Sequence, residues 1–194
     1  MKQTRTVLLL TAVLAAVLAA ALWLYPRLSQ QAVPGDSTPG VDLPDPIPAV
    51  DFQLEYPDGE PQSFFELLDG RPAVLNFWAS TCGPCRQEMP FFQQAYETYG
   101  EDIQFLMVNV MDAMGDTKEA AMAYLDEAGF TFPTYYDTQL DGVITYGLQG
   151  FPTTFLLNGN KELVLGYSGM MLDDTLQTYL HYAFPDLVEA PART

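Results

Sequence analysis

The period of apolar and polar positions changes several times along the chain, and each change marks an element. Ala73-Val74-Leu75-Asn76-Phe77-Trp78 is an almost unbroken apolar run of strand character, which predicts a central, buried strand. Ala79-Ser80-Thr81 then turns the chain into a helix that begins around Cys82–Cys85, runs to about Tyr99 and stops at Gly100. Met89, Phe92, Tyr96 and Tyr99 recur at helical spacing and are expected to face the core. Pro90 lies inside this helix and predicts a kink. Ile103–Val110 reads as a buried parallel strand, and Asp116-Thr117-Lys118-Glu119 as a capping box opening a helix that ends at Gly129. Phe132–Tyr136 is a further strand candidate, and Asp141–Tyr146 a short helix closed by Gly147. Thr153–Leu157 and Leu163–Tyr167 flank Asn158-Gly159 and predict a hairpin. Leu172–Tyr182 is the closing amphipathic helix.

The first quarter of the chain behaves differently. Val7–Tyr25 carries no charge. As a helix it would span about 28 Å, close to the ~30 Å hydrocarbon core of a bilayer. Lys2 and Arg5 before it predict a cytoplasmic N-terminus, and Trp23 and Tyr25 suit the outer interface. Ala19-Ala20-Ala21 offers the competing reading of a cleavable signal peptide. The apolar run continues past that point, so an uncleaved anchor over residues 1–25 is the preferred reading, and either way the rest of the chain is exported. Residues 26–48 are rich in Pro, Gly, Ser and Asp and read as an extended linker. The globular pattern occupies residues 49–194. It opens with alternation over Val50–Leu54 and a turn at Pro57-Asp58-Gly59, a short hairpin. A brief helix follows, with Ser63 as N-cap, Glu66 three residues on and Gly70 as its stop. Strands alternating with helices, then a hairpin and a last helix, predict an α/β fold with a central mixed sheet flanked by helices.

Composition narrows the function. A 48% apolar and 13% aromatic content supports a substantial core, while the net charge of −17 argues against nucleic-acid binding. The chain has two cysteines, too few for a structural disulfide framework, and both lie in one CxxC. A zinc site would need two more ligands at suitable spacing, and the single histidine, His181, sits near the far end. The methionines at 107, 111, 114, 122, 170 and 171 are scattered and read as core and gap-filling residues.

The candidate chemistry is therefore in Cys82-Gly83-Pro84-Cys85. Two thiols three residues apart in a first helical turn lie on one face and can close a small disulfide ring. The helix start places free N–H groups and the positive dipole end beside the first sulfur, which favours its thiolate. In this kind of motif a thiol pKa falls from about 8.5 to roughly 3.5–7.5. Pro84 fits a first turn, where a missing N–H costs little. The pattern reads as a thiol–disulfide exchange site that needs no metal and no cofactor beyond the Cys82–Cys85 pair.

Taken together, Leu75-Asn76-Phe77-Trp78-Ala79, Cys82-Gly83-Pro84-Cys85, the Pro90 interruption and Gly150-Phe151-Pro152-Thr153-Thr154-Phe155 resemble the thioredoxin superfamily. Within it they resemble the membrane-anchored TlpA/ResA-like thiol–disulfide oxidoreductases. The similarity covers roughly Val50 to Tyr182, and the strand–helix unit from Ile103 to Gly129 resembles the insert of that branch. The resemblance implies a cis Phe151–Pro152 bond packed beside the cysteines, with Phe151, Pro152, Thr81, Gly83 and Pro84 contacting substrate. It implies that Glu88 tunes the thiols or shuttles their protons, while Asn76, where thioredoxins carry a buried aspartate, supports the site from beneath. Trp78 is read as core. Thr81 departs from the family, which usually has Trp there, so an aromatic shelf beside the sulfur is lost. The Gly-Pro dipeptide implies a reductase, and the commonest target is apocytochrome c thiols, served by a transmembrane thiol donor.

Two rivals are weaker. A peroxidase of the peroxiredoxin type needs Thr or Ser three residues before its cysteine and Pro seven before, where this chain has Ala79 and Leu75. Ala79-Ser80-Thr81-Cys82-Gly83 faintly resembles the glutathione-peroxidase loop, but Cys85 has no place in that scheme. Copper chaperones of this fold use CxxxC and a nearby histidine, and neither feature is here.

Overall fold

The computed structural model describes residues 40–190, which lie within one compact unit, Pro39–Thr194. The strands are β1 (Gly40–Pro48), β2 (Gln53–Glu55), β3 (Pro61–Ser63), β4 (Ala73–Trp78), β5 (Gln104–Asn109), β6 (Thr134–Tyr136), β7 (Thr153–Leu157) and β8 (Glu162–Ser168). The helices are α1 (Phe64–Leu67), α2 (Gly83–Tyr99), α3 (Lys118–Ala128), α4 (Asp141–Thr145) and α5 (Asp173–Ala183), with a 3-10 turn at Met111–Met114. One mixed sheet runs β1-β8-β7-β4-β5-β6-β2-β3. The apolar run of β4 earns its central place because all six of its residues are buried. It pairs in parallel with β5 and antiparallel with β7, so that Asn76 stands between Met107 and Thr154. This is the thioredoxin-like α/β arrangement, a mixed sheet flanked by helices.

On one face, α2 buries Met89 and Phe92 and α5 buries Leu176 and Leu180. Tyr179 of α5 packs on Tyr167 of β8 with ring centroids 5.6 Å apart. The other face carries an aromatic group of Phe52, Phe64, Phe77, Tyr146 and Phe155. Gly142 lets α4 approach this group, because a Cβ there would lie 2.5 Å from the Phe52 ring and 2.8 Å from that of Phe77.

Pro90 removes an N–H from the middle of α2 and frees the carbonyl of Arg86 four residues earlier. The hydroxyl of Tyr124, on α3, faces that carbonyl at 3.4 Å.

Two expectations are corrected. Residues 40–48, read as the end of a linker, form β1 and cover the outer edge of β8. Their backbone groups answer a row of donors and acceptors that an uncovered edge would leave open. Pro44 and Pro46 disguise the strand, yet both fall between Asp42 and Ile47, where the register shifts and a missing N–H is tolerated. Ser63 does not cap α1 with its own side chain. Its hydroxyl donates to the Asp51 carboxylate at 2.8 Å, and Asp51 accepts the Phe65 N–H at 2.9 Å, so a residue twelve positions upstream does the capping.

Among the described residues, no helix is long and apolar enough to cross a membrane. The anchor expected over residues 1–25 lies outside the described residues, as does the linker before residue 40.

Candidate active site

β4 delivers the chain to the site, and a turn closes it, with the Cys82 N–H donating to the Ala79 carbonyl at 3.1 Å. Cys82 is the N-cap of α2, and its sulfur accepts the Cys85 N–H at 3.2 Å. A sulfur in that position receives one of the helix's orphan donors and the positive end of its dipole, which stabilises negative charge on it. Pro84 stands in the first turn, where its missing N–H breaks no bond. Cys82 and Cys85 are joined as a disulfide, with Cα atoms 5.3 Å apart. Cys82 keeps 4% of its surface exposed and Cys85 none, so an incoming sulfur can reach only the first. Thr81, Gly83 and Pro84 are exposed around it.

The Phe151–Pro152 bond is cis. The Phe151 carbonyl oxygen lies 3.8 Å from Cys82 Sγ, which brings the two motifs together across the sequence. Thr153 donates its hydroxyl to the Gly150 carbonyl at 2.8 Å, and the Gly169 N–H donates to the Pro152 carbonyl at 2.9 Å. The segment is thereby fixed on both sides. Phe151 is half-buried and Pro152 buried.

Beneath the sulfurs lies a buried polar group. Glu88 Oε1 accepts Asn76 Nδ2 at 2.9 Å and Oε2 accepts the Met171 N–H at 2.8 Å. Asn76 Nδ2 also donates to Thr154 Oγ1 at 2.9 Å. Burial pushes the Glu88 carboxyl up to about 8, against the two hydrogen bonds, which pull it down. Glu88 makes no hydrogen bond to either sulfur among the described residues; its partners are Asn76 and the Met171 backbone. Trp78 is fully buried, with its ring 6.0 Å from that of Tyr124.

Some residues of this region carry no signal in sequence. The Met171 N–H contributes only a backbone group, placed by the chain reversal after β8, and nothing in its side chain announces it. Asp116 reads as part of a capping box, but Thr117 is the N-cap of α3 and accepts the Ala120 N–H at 3.2 Å. Asp116 turns instead to Ser80, at 2.6 Å from its hydroxyl.

Comparison with known proteins agrees with this geometry. Residues 43–179 match the Redoxin family. The chain is similar to the thiol-disulfide oxidoreductase ResA of Halalkalibacterium halodurans, with 31% identity over 71% of this chain and 76% of that relative. ResA of Bacillus subtilis is 29% identical over 71% of this chain and 74% of its own length. The crystal structure of StoA from Bacillus subtilis superposes with a TM-score of 0.56 at 28% identity, covering 66% of this chain and 96% of StoA. The chain belongs to the Redoxin family, among the TlpA/ResA-like members of the thioredoxin superfamily.

Proposed function

We infer that the protein is a thiol–disulfide oxidoreductase that works as a reductase of protein disulfides outside the cytoplasm. One observation carries the reading: a CxxC disulfide at the start of α2, with its more accessible sulfur 3.8 Å from the carbonyl before a cis proline. In the reduced protein the Cys82 thiolate attacks one sulfur of a target disulfide. That bond breaks, a mixed disulfide forms, and one target thiolate leaves. Cys85 then attacks Cys82 Sγ, the mixed bond breaks, and the second target thiolate leaves. Two electrons pass to the target, and the Cys82–Cys85 disulfide seen here is the product state.

The direction of exchange rests on the Gly83-Pro84 dipeptide, which resembles that of thioredoxin. A potential near about −270 mV is some 150 mV more reducing than the strongest oxidants of the superfamily, or roughly 7 kcal/mol for two electrons. Such a reductase outside the membrane draws electrons from a transmembrane thiol donor, and apocytochrome c thiols are the target that the resemblance favours. The uncharged run Val7–Tyr25 supports a single-pass anchor with the N-terminus in the cytoplasm. Backbone groups around Phe151, with Pro152, Thr81, Gly83 and Pro84, form the surface a strand-like substrate would pair with.

The test is mechanism-based capture. Cys85→Ser leaves the mixed disulfide unresolved and should retain target proteins, which mass spectrometry then names, whereas Cys82→Ser should retain none. Equal behaviour of the two variants would refute the assigned roles.

A further inference from the structure

The turn that delivers Cys82 to α2 is tied by side chains to the segment that follows β5. The Ser80 N–H donates to Asp116 Oδ2 at 2.5 Å, and the Ser80 hydroxyl to Oδ1 at 2.6 Å. Thr81, next in the turn, donates its hydroxyl to the Met114 carbonyl at 3.0 Å. Asp116 is 2% exposed. It also accepts Asn109 Nδ2 at 2.9 Å and the Thr117 N–H at 3.0 Å. Asn109 ends β5 directly beside Trp78, the end of β4. One buried carboxylate therefore joins the ends of two neighbouring strands, the start of α3 and the turn before the more exposed cysteine.

The chemistry of this knot is specific. All four partners donate, so each carboxylate oxygen serves only as an acceptor; a carboxamide would point an NH2 at two of those donors. Helix capping does not explain it, because Thr117 caps α3. Closing the turn does not explain it either, because the Cys82 N–H already reaches the Ala79 carbonyl. What Asp116 and Met114 add is a hold on the turn's two central residues, Ser80 and Thr81.

We propose that Asp116 is a positioning residue for Cys82, fixing the turn so that the sulfur stays aligned with the N–H groups of α2 and with the approach line of a target disulfide. Thr81 has a matching part: its hydroxyl fastens the turn to the same segment. Attack on a disulfide requires in-line approach, and displacement by about 1 Å can cost as much as 100-fold in rate.

The proposal rests on the exchange reaction assigned above, and its test reads two quantities. Ultraviolet absorbance of the reduced protein against pH gives the titration of the Cys82 thiolate. Insulin-disulfide reduction against pH gives the limiting rate when that thiolate is fully formed. Asp116→Asn should lower the limiting rate about tenfold or more and displace the thiolate titration, and Ser80→Ala should do the same to a smaller degree. Thr117→Ala, which removes the α3 cap without touching Ser80, should lower heat stability and leave both readouts in place. If Asp116→Asn fails to fold, Ser80→Ala decides alone. Limiting rates and thiolate titrations within about twofold of the parent in the folded variants would overturn the proposal and leave Asp116 a purely structural knot. Should the parent reduce no protein disulfide, the reaction assignment fails, while the thiolate titration still reads the positioning.

Discussion

The Asn76 side chain donates to Glu88 Oε1 at 2.9 Å, joining the middle of β4 to the first turns of α2 under the disulfide. The contact is buried at both ends. Because burial raises the Glu88 carboxyl from 4.5 to about 8, the folded protein binds a proton there that the unfolded chain releases. The sign follows from linkage. A carboxyl whose folded pKa lies above its unfolded one contributes most below the unfolded value, and that contribution is lost as pH rises through the window from about 4.5 to 8. Glu88→Gln, which cannot ionise, should show a flatter loss of stability across this window. Urea midpoints of both proteins at several pH values check it. A parallel decline in the two would refute the shift.

Protonation of Glu88 has a partner in the same contact. Asn76 Oδ1 has no donor near it among the described residues, while Nδ2 supplies both Glu88 and Thr154. A neutral Glu88 presents an O–H that needs an acceptor. Rotating the Asn76 amide by half a turn meets that need, with Oδ1 then accepting from Glu88 and from the Thr154 hydroxyl. The side-chain amide NMR signals of Asn76 should therefore shift with a midpoint near the Glu88 value of about 8. They should lose that titration in Glu88→Gln. Amide signals that stay fixed between pH 6 and 10 would exclude the rotation.

Asp51 carries a prediction that sequence patterning alone would have assigned to Ser63 and Glu66. The Asp51 carboxylate accepts both the Ser63 hydroxyl and the Phe65 N–H. Asp51→Ala should cost about 1 kcal/mol, typical of a lost N-cap. Glu66→Ala loses only an exposed bond from Gln62 and should cost far less. Chemical denaturation of the two variants decides between the local and the long-range cap.

These contrasts show what kind of information the chain displays openly. β4, α2, β7 and the cysteine pair are legible because each depends on its own residues: an apolar run, a helical period, a CxxC, a proline before a strand. The strand–helix alternation that makes the sheet mixed is legible for the same reason. What escapes is whatever depends on a distant partner. β1 is a strand because the edge of β8 accepts it, and its prolines point the other way. Asp51 caps α1 across a hairpin, and Asp116 reaches a turn 36 positions earlier in the chain. Such roles are decided by the folded neighbourhood, so no window along the chain contains them.

The β1 assignment separates two fragments. A protein beginning at residue 39 retains the pairing of Gly40–Pro48 with β8, and one beginning at residue 49 loses it. The shorter fragment exposes the backbone donors and acceptors of β8 along a full edge, an invitation to pair with other chains. It should melt at a lower temperature and aggregate sooner than the longer one. Light scattering during a thermal ramp distinguishes them, and equal behaviour would show that β1 adds nothing to the sheet.

Charge supplies the last prediction. The chain carries −17 overall, and the basic side chains of the described residues are largely turned to partners other than carboxylates. Arg86 lies over the Tyr124 ring at 4.7 Å, Lys118 over Tyr136 at 4.9 Å and Lys161 over Phe65 at 4.6 Å. Arg71 donates to the Glu101 carbonyl and to the Gln104 side chain. These cations brace aromatic and backbone groups, and the acidic surface keeps its mutual repulsion, which favours the expanded chain. Salt shortens the reach of that repulsion, from a Debye length of about 10 Å at 0.1 M to about 3 Å at 1 M. Melting temperature should therefore climb as sodium chloride is raised over that range. Most of the gain should vanish near the sequence pI of about 4.1, where the net charge approaches zero and the repulsion with it. A melting temperature that falls with salt at pH 7 would mean that attractive pairs, and not repulsion, dominate this surface.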